Sequence, residues 1–94
     1  MSRSAYRMTR VKYADPAFNL YDDTALVAFL DDETMFSYEV ATHGGRVEVP
    51  FGVLRKALRK AADLHLTQTT ITRLRLDIAA SKARGEDCVL YDCF

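Results

Sequence analysis

Between Pro50 and Gly85 the apolar residues of the chain recur every three or four positions, and on both sides of that stretch they alternate. A period that passes from two to about 3.6 and back marks a change of secondary structure, because strand side chains alternate faces while helix side chains return once per turn. In FGVLRKALRKAADL, residues 51–64, one stripe is formed by Val53, Leu54, Ala57, Leu58, Ala61 and Leu64. Pro50 ends the strand before it and suits a helix start. Thr67 has the side chain of an N-cap, Ile71, Leu74 and Ile78 form a second stripe with Leu76 and Ala80 lying more loosely, and Gly85 supplies the stop. RVEV before the pair and EDCVLYDCF after it have the alternation and side-chain types of strands.

Upstream, TALVAFL, DDET and MFSYEVAT read as strand, turn and strand, with Phe36, Tyr38 and Val40 on one face. HGGR then makes a second tight turn into RVEV. The expected architecture is α+β: a three-stranded antiparallel meander, a two-helix hairpin and a C-terminal strand returning to the sheet, β-β-β-α-α-β, with both helices on one face. Residues 1–23 read as a basic N-terminal arm, with Arg3, Arg7, Arg10 and Lys12 interleaved with Tyr6 and Tyr13, followed by the irregular lead-in YADPAFNLYDD. Residues 24–94 read as a single domain, which the length of 94 residues allows.

With 49% hydrophobic and 28% charged residues the composition is that of a soluble globular protein. ALVAFL is the longest apolar run, far short of a membrane span, and MSRSAYRMTR has no apolar signal core, so a cytoplasmic protein without membrane contact is expected. Cys88 and Cys93 are five apart, which places them on opposite faces of a strand and argues against a disulfide between them. Together with His43 and His65 they have no familiar zinc spacing, and neither a metal nor a cofactor is expected. There is no nucleophile motif and no phosphate-cradling loop, and His43, near Glu39 or Glu48, reads as a surface turn residue. The expectation is a non-enzymatic protein.

Formal net charge is zero, yet the charge is segregated. Residues 13–50 carry Asp15, Asp22, Asp23, Asp31, Asp32, Glu33, Glu39 and Glu48 against Arg46, whereas residues 51–85 carry Arg55, Lys56, Arg59, Lys60, Arg73, Arg75, Lys82 and Arg84 against Asp63 and Asp77. Arg55, Lys56, Arg59 and Lys60 repeat at i, i+4 on the outer face of the first helix, an arrangement that asks for solvent or an anionic partner.

Residues 57–75 resemble the helix-turn-helix of bacterial repressors and phage regulators. Ala61 is the small residue facing the second helix, His65 stands at the turn, Leu66 is the apolar plug, Thr67 caps, Ile71 locks the second helix and Leu74 continues its face. His65 occupies the turn position where glycine is usual, so a left-handed backbone is expected there. The resemblance implies a DNA-binding regulator in which Gln68, Thr69, Thr72 and Arg73 face the bases and Arg55, Lys56, Arg59 and Lys60 contact phosphates. It also implies a homodimer, built on a sheet edge or the C-terminal strand. Over about residues 22–94, GGRVEVPFGVLRKAL, RLRLDIAASKARG and VLYDCF together resemble the uncharacterised bacterial family called domain of unknown function 1488, which implies α+β architecture and no particular activity. The alternative function is that of a protein-binding module, a small phage- or plasmid-type inhibitor or adaptor, using an acidic hairpin at Asp31, Asp32 and Glu33 and a sheet edge.

Overall fold

Phe36 and Val40 are buried while Tyr38 between them is 61% exposed, so the repeat along this stretch is four residues and not two. Residues i and i+4 share a face in a helix and in a strand alike, and the residue at i+2 decides between them. The computed structural model describes residues 4–8 and 13–94, and it holds two helices where two strands of the meander are expected: α1 at Thr24–Thr34 and α2 at Phe36–Thr42. Leu26 and Leu30 are the buried pair of α1. Met35 joins the helices with a left-handed backbone, φ 57°. The Asp31 carboxylate closes the joint by accepting hydrogen bonds from the Ser37 N–H at 2.7 Å and the Ser37 hydroxyl at 3.1 Å. DDET is therefore the last turn of α1, and Asp31, Asp32 and Glu33 do not form a hairpin tip.

The N-terminal stretch supplies strands in their place: β1 at Ser4–Met8 and β2 at Tyr13–Asn19. Pro16 cannot donate to a ladder, but β2 is an edge strand, where a proline is tolerated. Asn19 ends it in an Asx turn, its Oδ1 accepting from the N–H of Tyr21 at 2.8 Å and of Asp22 at 3.1 Å. Of the expected basic arm, Arg7 lies in β1, and Arg3, Arg10 and Lys12 lie outside the described residues.

From β3 onward the order is the expected one: β3 at Arg46–Pro50, α3 at Phe51–Arg59, α4 at Gln68–Ala83 and β4 at Cys88–Cys93. The described residues thus form an α+β fold of four helices and a four-stranded antiparallel sheet, in the order β2-β1-β4-β3. β4 pairs with β3, as expected, and with β1 on its other side, so the C-terminal strand is interior and offers no edge to a second copy. Gly45 opens β3 at φ 99°, and a Cβ there would stand 2.7 Å from the Cys93 carbonyl oxygen, so the turn into the sheet requires glycine.

Val47, Val49, Val89, Tyr91 and Cys93 are buried against the helices, while Arg46, Glu48, Pro50, Cys88, Leu90 and Asp92 alternate to the other face. Cys88 and Cys93 are free and lie on opposite faces of β4. Phe18 meets Tyr91 edge-on at 5.5 Å and Phe36 at 5.9 Å, and Leu26, Leu30, Leu54 and Leu74 complete a core that one stripe of each helix can bury. Among the described residues no helix is long and apolar enough to cross a membrane.

Candidate nucleic-acid interface

The helical pair of the sequence is α3 and α4. α3 is shorter than its apolar pattern predicts, ending at Arg59 with Lys60 as its C-cap. Helices in proteins are held mainly by the apolar face they bury, and Ala61, Ala62 and Asp63 bring no bulky apolar side chain to extend it. The chain then closes in a Schellman-type pair: the Leu66 N–H donates to the Ala61 carbonyl at 3.0 Å and the His65 N–H to the Ala62 carbonyl at 3.2 Å. His65 stands at the left-handed position of this turn with φ 56°. Leu64 and Leu66 pack against the core from this connection. Thr67 caps α4, its hydroxyl oxygen accepting from the Thr70 N–H at 3.1 Å.

A residue with a Cβ is strained in the left-handed region by about 1 kcal/mol, and the His65 side chain is exposed. His65→Gly is therefore expected to stabilise the fold by about 0.5–1 kcal/mol in urea unfolding. A loss of stability would show that the imidazole itself supports the turn.

The first turns of α4 are open on their outer side. Gln68, Thr69 and Thr72 are exposed, while Thr70 and Leu74 are buried. On α3, Arg55, Lys56, Arg59 and Lys60 are all exposed, and Phe51, Leu54 and Ala57 face the core. Arg55 lies over the Phe51 ring at 5.6 Å, and Lys56 pairs with Glu33 of α1 and lies 6.0 Å from the Phe29 ring. Arg73 is half-buried and its charge acts on Asp77. The exposed arginine of α4 is Arg75, which continues the stripe Gln68, Thr72, Ala79 at helical spacing. Leu76, 50% exposed, lies beside it.

Asp77 sets this rotation of α4. It is 2% exposed, accepts from the Tyr91 hydroxyl at 2.9 Å and receives the Arg7 Nε at 3.0 Å, so it ties α4 to β4 and to β1. Burial pushes its carboxyl above the ordinary value of 3.8, against the hydrogen bonds from Tyr91 and Arg7 and the charges of Arg7 and Arg73, which pull it down. Burial and the neighbouring Asp77 charge hold the Tyr91 hydroxyl well above 10.0. Arg7, read from the sequence as part of a basic arm, is a structural partner whose side chain is 15% exposed.

The burial of Asp77 has an electrostatic consequence: Asp63, in the connection, is the one exposed acid from Phe51 through Gly85. The acids of the first half lie elsewhere. Asp31 is engaged by Ser37, Asp32 is exposed and Glu33 is engaged by Lys56, so the two candidate surfaces meet at that pair. His43 pairs with Glu39 one turn before it, at 2.9 Å, along the end of α2 and not across strands. Comparison with known proteins adds no relative: no protein-family model matches the chain, and no curated protein and no solved structure is significantly similar to it. The functional reading rests on the geometry.

Proposed function

We propose that this protein is a small non-enzymatic regulatory module that binds DNA through the α3–α4 hairpin. Arg55, Arg59, Lys60 and Arg75 contact phosphates, while Gln68, Thr69 and Thr72 present amide and hydroxyl groups to base edges. The single observation that carries this reading is a cationic surface shared by two helices whose only acid, Asp77, is buried. A polyanion meets attraction along that surface, where Asp63 is the one exposed acid between Phe51 and Gly85 and Glu33 of α1 is held by Lys56, and a protein of zero net charge keeps the attraction local. The left-handed turn at His65 and the capped, exposed start of α4 support the same reading. Lys56 contributes less, because Glu33 already holds it. One short helix spans few base pairs, so a specific site is read by two copies.

Fluorescence anisotropy of a labelled random duplex tests this directly. Dissociation constants of roughly 1–100 µM are expected near physiological salt, tightening at low salt with a log–log slope of about −3.6 for four phosphate contacts. Binding that ignores salt would contradict the proposed surface.

A further inference from the structure

The two edges of the sheet are unequal. β2 carries Pro16, and its pairing with β1 shifts register on both sides of Tyr6, devices that blunt an edge against further strands. β3 is smooth, paired with β4 in unbroken register from Arg46 to Pro50. The Cys93 N–H donates to the Gly45 carbonyl at 2.8 Å and the Phe51 N–H to the Asp87 carbonyl at 3.5 Å, so odd-numbered residues here aim their backbone groups at β4. Arg46, Glu48 and Pro50 aim theirs outward, and the Arg46 N–H is already taken by the His43 carbonyl at 3.2 Å. What the edge presents is the Glu48 N–H and C=O, a donor and acceptor pair at its centre, flanked by the Arg46 and Pro50 carbonyls, with the Pro50 ring closing one end.

Alongside this edge runs a groove of about 800 Å³. Glu33 of α1, Glu39 of α2 and Glu48 line it, Glu33 paired with Lys56 and Glu39 with His43 at its rim, Pro50 and Leu90 add apolar surface, and Arg46 is the one guanidinium among the lining residues. We propose that β3 is a docking edge for an extended, lysine- or arginine-rich segment of another protein, which adds a strand about Glu48 and lays its cations among Glu33, Glu39 and Glu48. Charge decides against a second copy of this chain as the occupant. Antiparallel self-pairing about Glu48 sets two Glu48 carboxylates opposite each other, a destabilising cross-strand pair. A basic strand meets the same groups with complementary charge.

The test uses the full chain and a labelled octapeptide of alternating Lys and Val, followed by anisotropy and by backbone amide shifts. Saturable binding is expected, with shifts centred on Val47, Glu48 and Val49. A peptide of the same charge with proline at every second position, unable to pair along its backbone, should bind at least about tenfold more weakly. Glu48→Gln should weaken the Lys-Val peptide and leave its register of shifts unchanged. Equal binding of the two peptides, shifts confined to β2, or no saturable binding would each overturn the proposal. So would a concentration-dependent dimer held through β3 that the peptide does not displace, since it would assign the edge to a second copy. Circular dichroism of Glu48→Gln controls for folding, and the proline peptide tests the idea on the unmodified protein.

Discussion

Replacing Arg59 and Arg75 together by alanine is expected to weaken duplex DNA binding about tenfold to a hundredfold and to flatten the salt slope by about two. The two arginines lie on different helices, both exposed, and neither is drawn into an ion pair among the described residues. Their loss therefore removes two phosphate contacts and leaves the core as it is, and surface changes of this kind alter stability by no more than about 0.5 kcal/mol. Anisotropy titrations of the double variant at several salt concentrations, beside its unfolding curve, separate the two effects. Arg73→Ala should behave differently, because Arg73 is half-buried and acts on Asp77, so any loss of binding should come with a loss of stability. If Arg59→Ala/Arg75→Ala binds like the wild type, the phosphates lie elsewhere and the proposed face is wrong.

Asp77→Ala is expected to cost about 3–5 kcal/mol, the usual penalty for removing one member of a buried pair. The change strands the Arg7 guanidinium, whose side chain is 15% exposed, and the fully buried Tyr91 hydroxyl. Domains of this size have a total stability of roughly 5–14 kcal/mol, so the variant should sit near its unfolding threshold. The pH dependence of this group has a definite sign. Burial raises the folded-state pKa of Asp77 above 3.8, so the folded chain holds the proton more tightly than the unfolded chain. Its contribution to stability is greatest below 3.8 and declines as pH rises through the raised value. In urea unfolding, the advantage of wild type over Asp77→Asn should therefore narrow as pH rises from below the carboxylate range toward neutral. An advantage that widens upward would mean that the pairing with Arg7 outweighs burial, and a cost of Asp77→Ala under about 1 kcal/mol would mean that the network holds nothing.

β3, α3, α4 and β4 follow from local patterns: a two-residue alternation around Val47 and Val49, a helical stripe through Leu54 and Leu74, the Thr67 cap and the Gly85 stop. α2 reads as a strand because Phe36 and Val40 satisfy both periods and only the exposure of Tyr38 distinguishes them, and the short apolar run TALVAFL of α1 suits a buried strand as well as a helix. β1 and β2 read as an arm because Pro16 and the Asp-rich turn resemble loop punctuation, and an edge strand tolerates the proline for reasons that only the assembled sheet reveals. At the candidate interface, Gln68, Thr69 and Thr72 face outward as their spacing predicts, and His65 adopts the left-handed backbone despite its Cβ. Arg73, expected to face outward, is half-buried, and the exposed arginine of α4 is Arg75. An acid in a helix is ordinarily placed toward solvent, and no local signal says that Asp77 is held inside by Arg7, seventy positions away.

The most direct test of the account is an amide-shift titration of the isotopically labelled protein with a short duplex. Perturbations are expected to concentrate at residues 55–60 and 67–76, with β3 and the outer residues of α1 unmoved. Shifts centred on Arg46–Pro50 and on Asp31, Asp32 and Glu33, or none at duplex concentrations well above the expected dissociation constant, would contradict it.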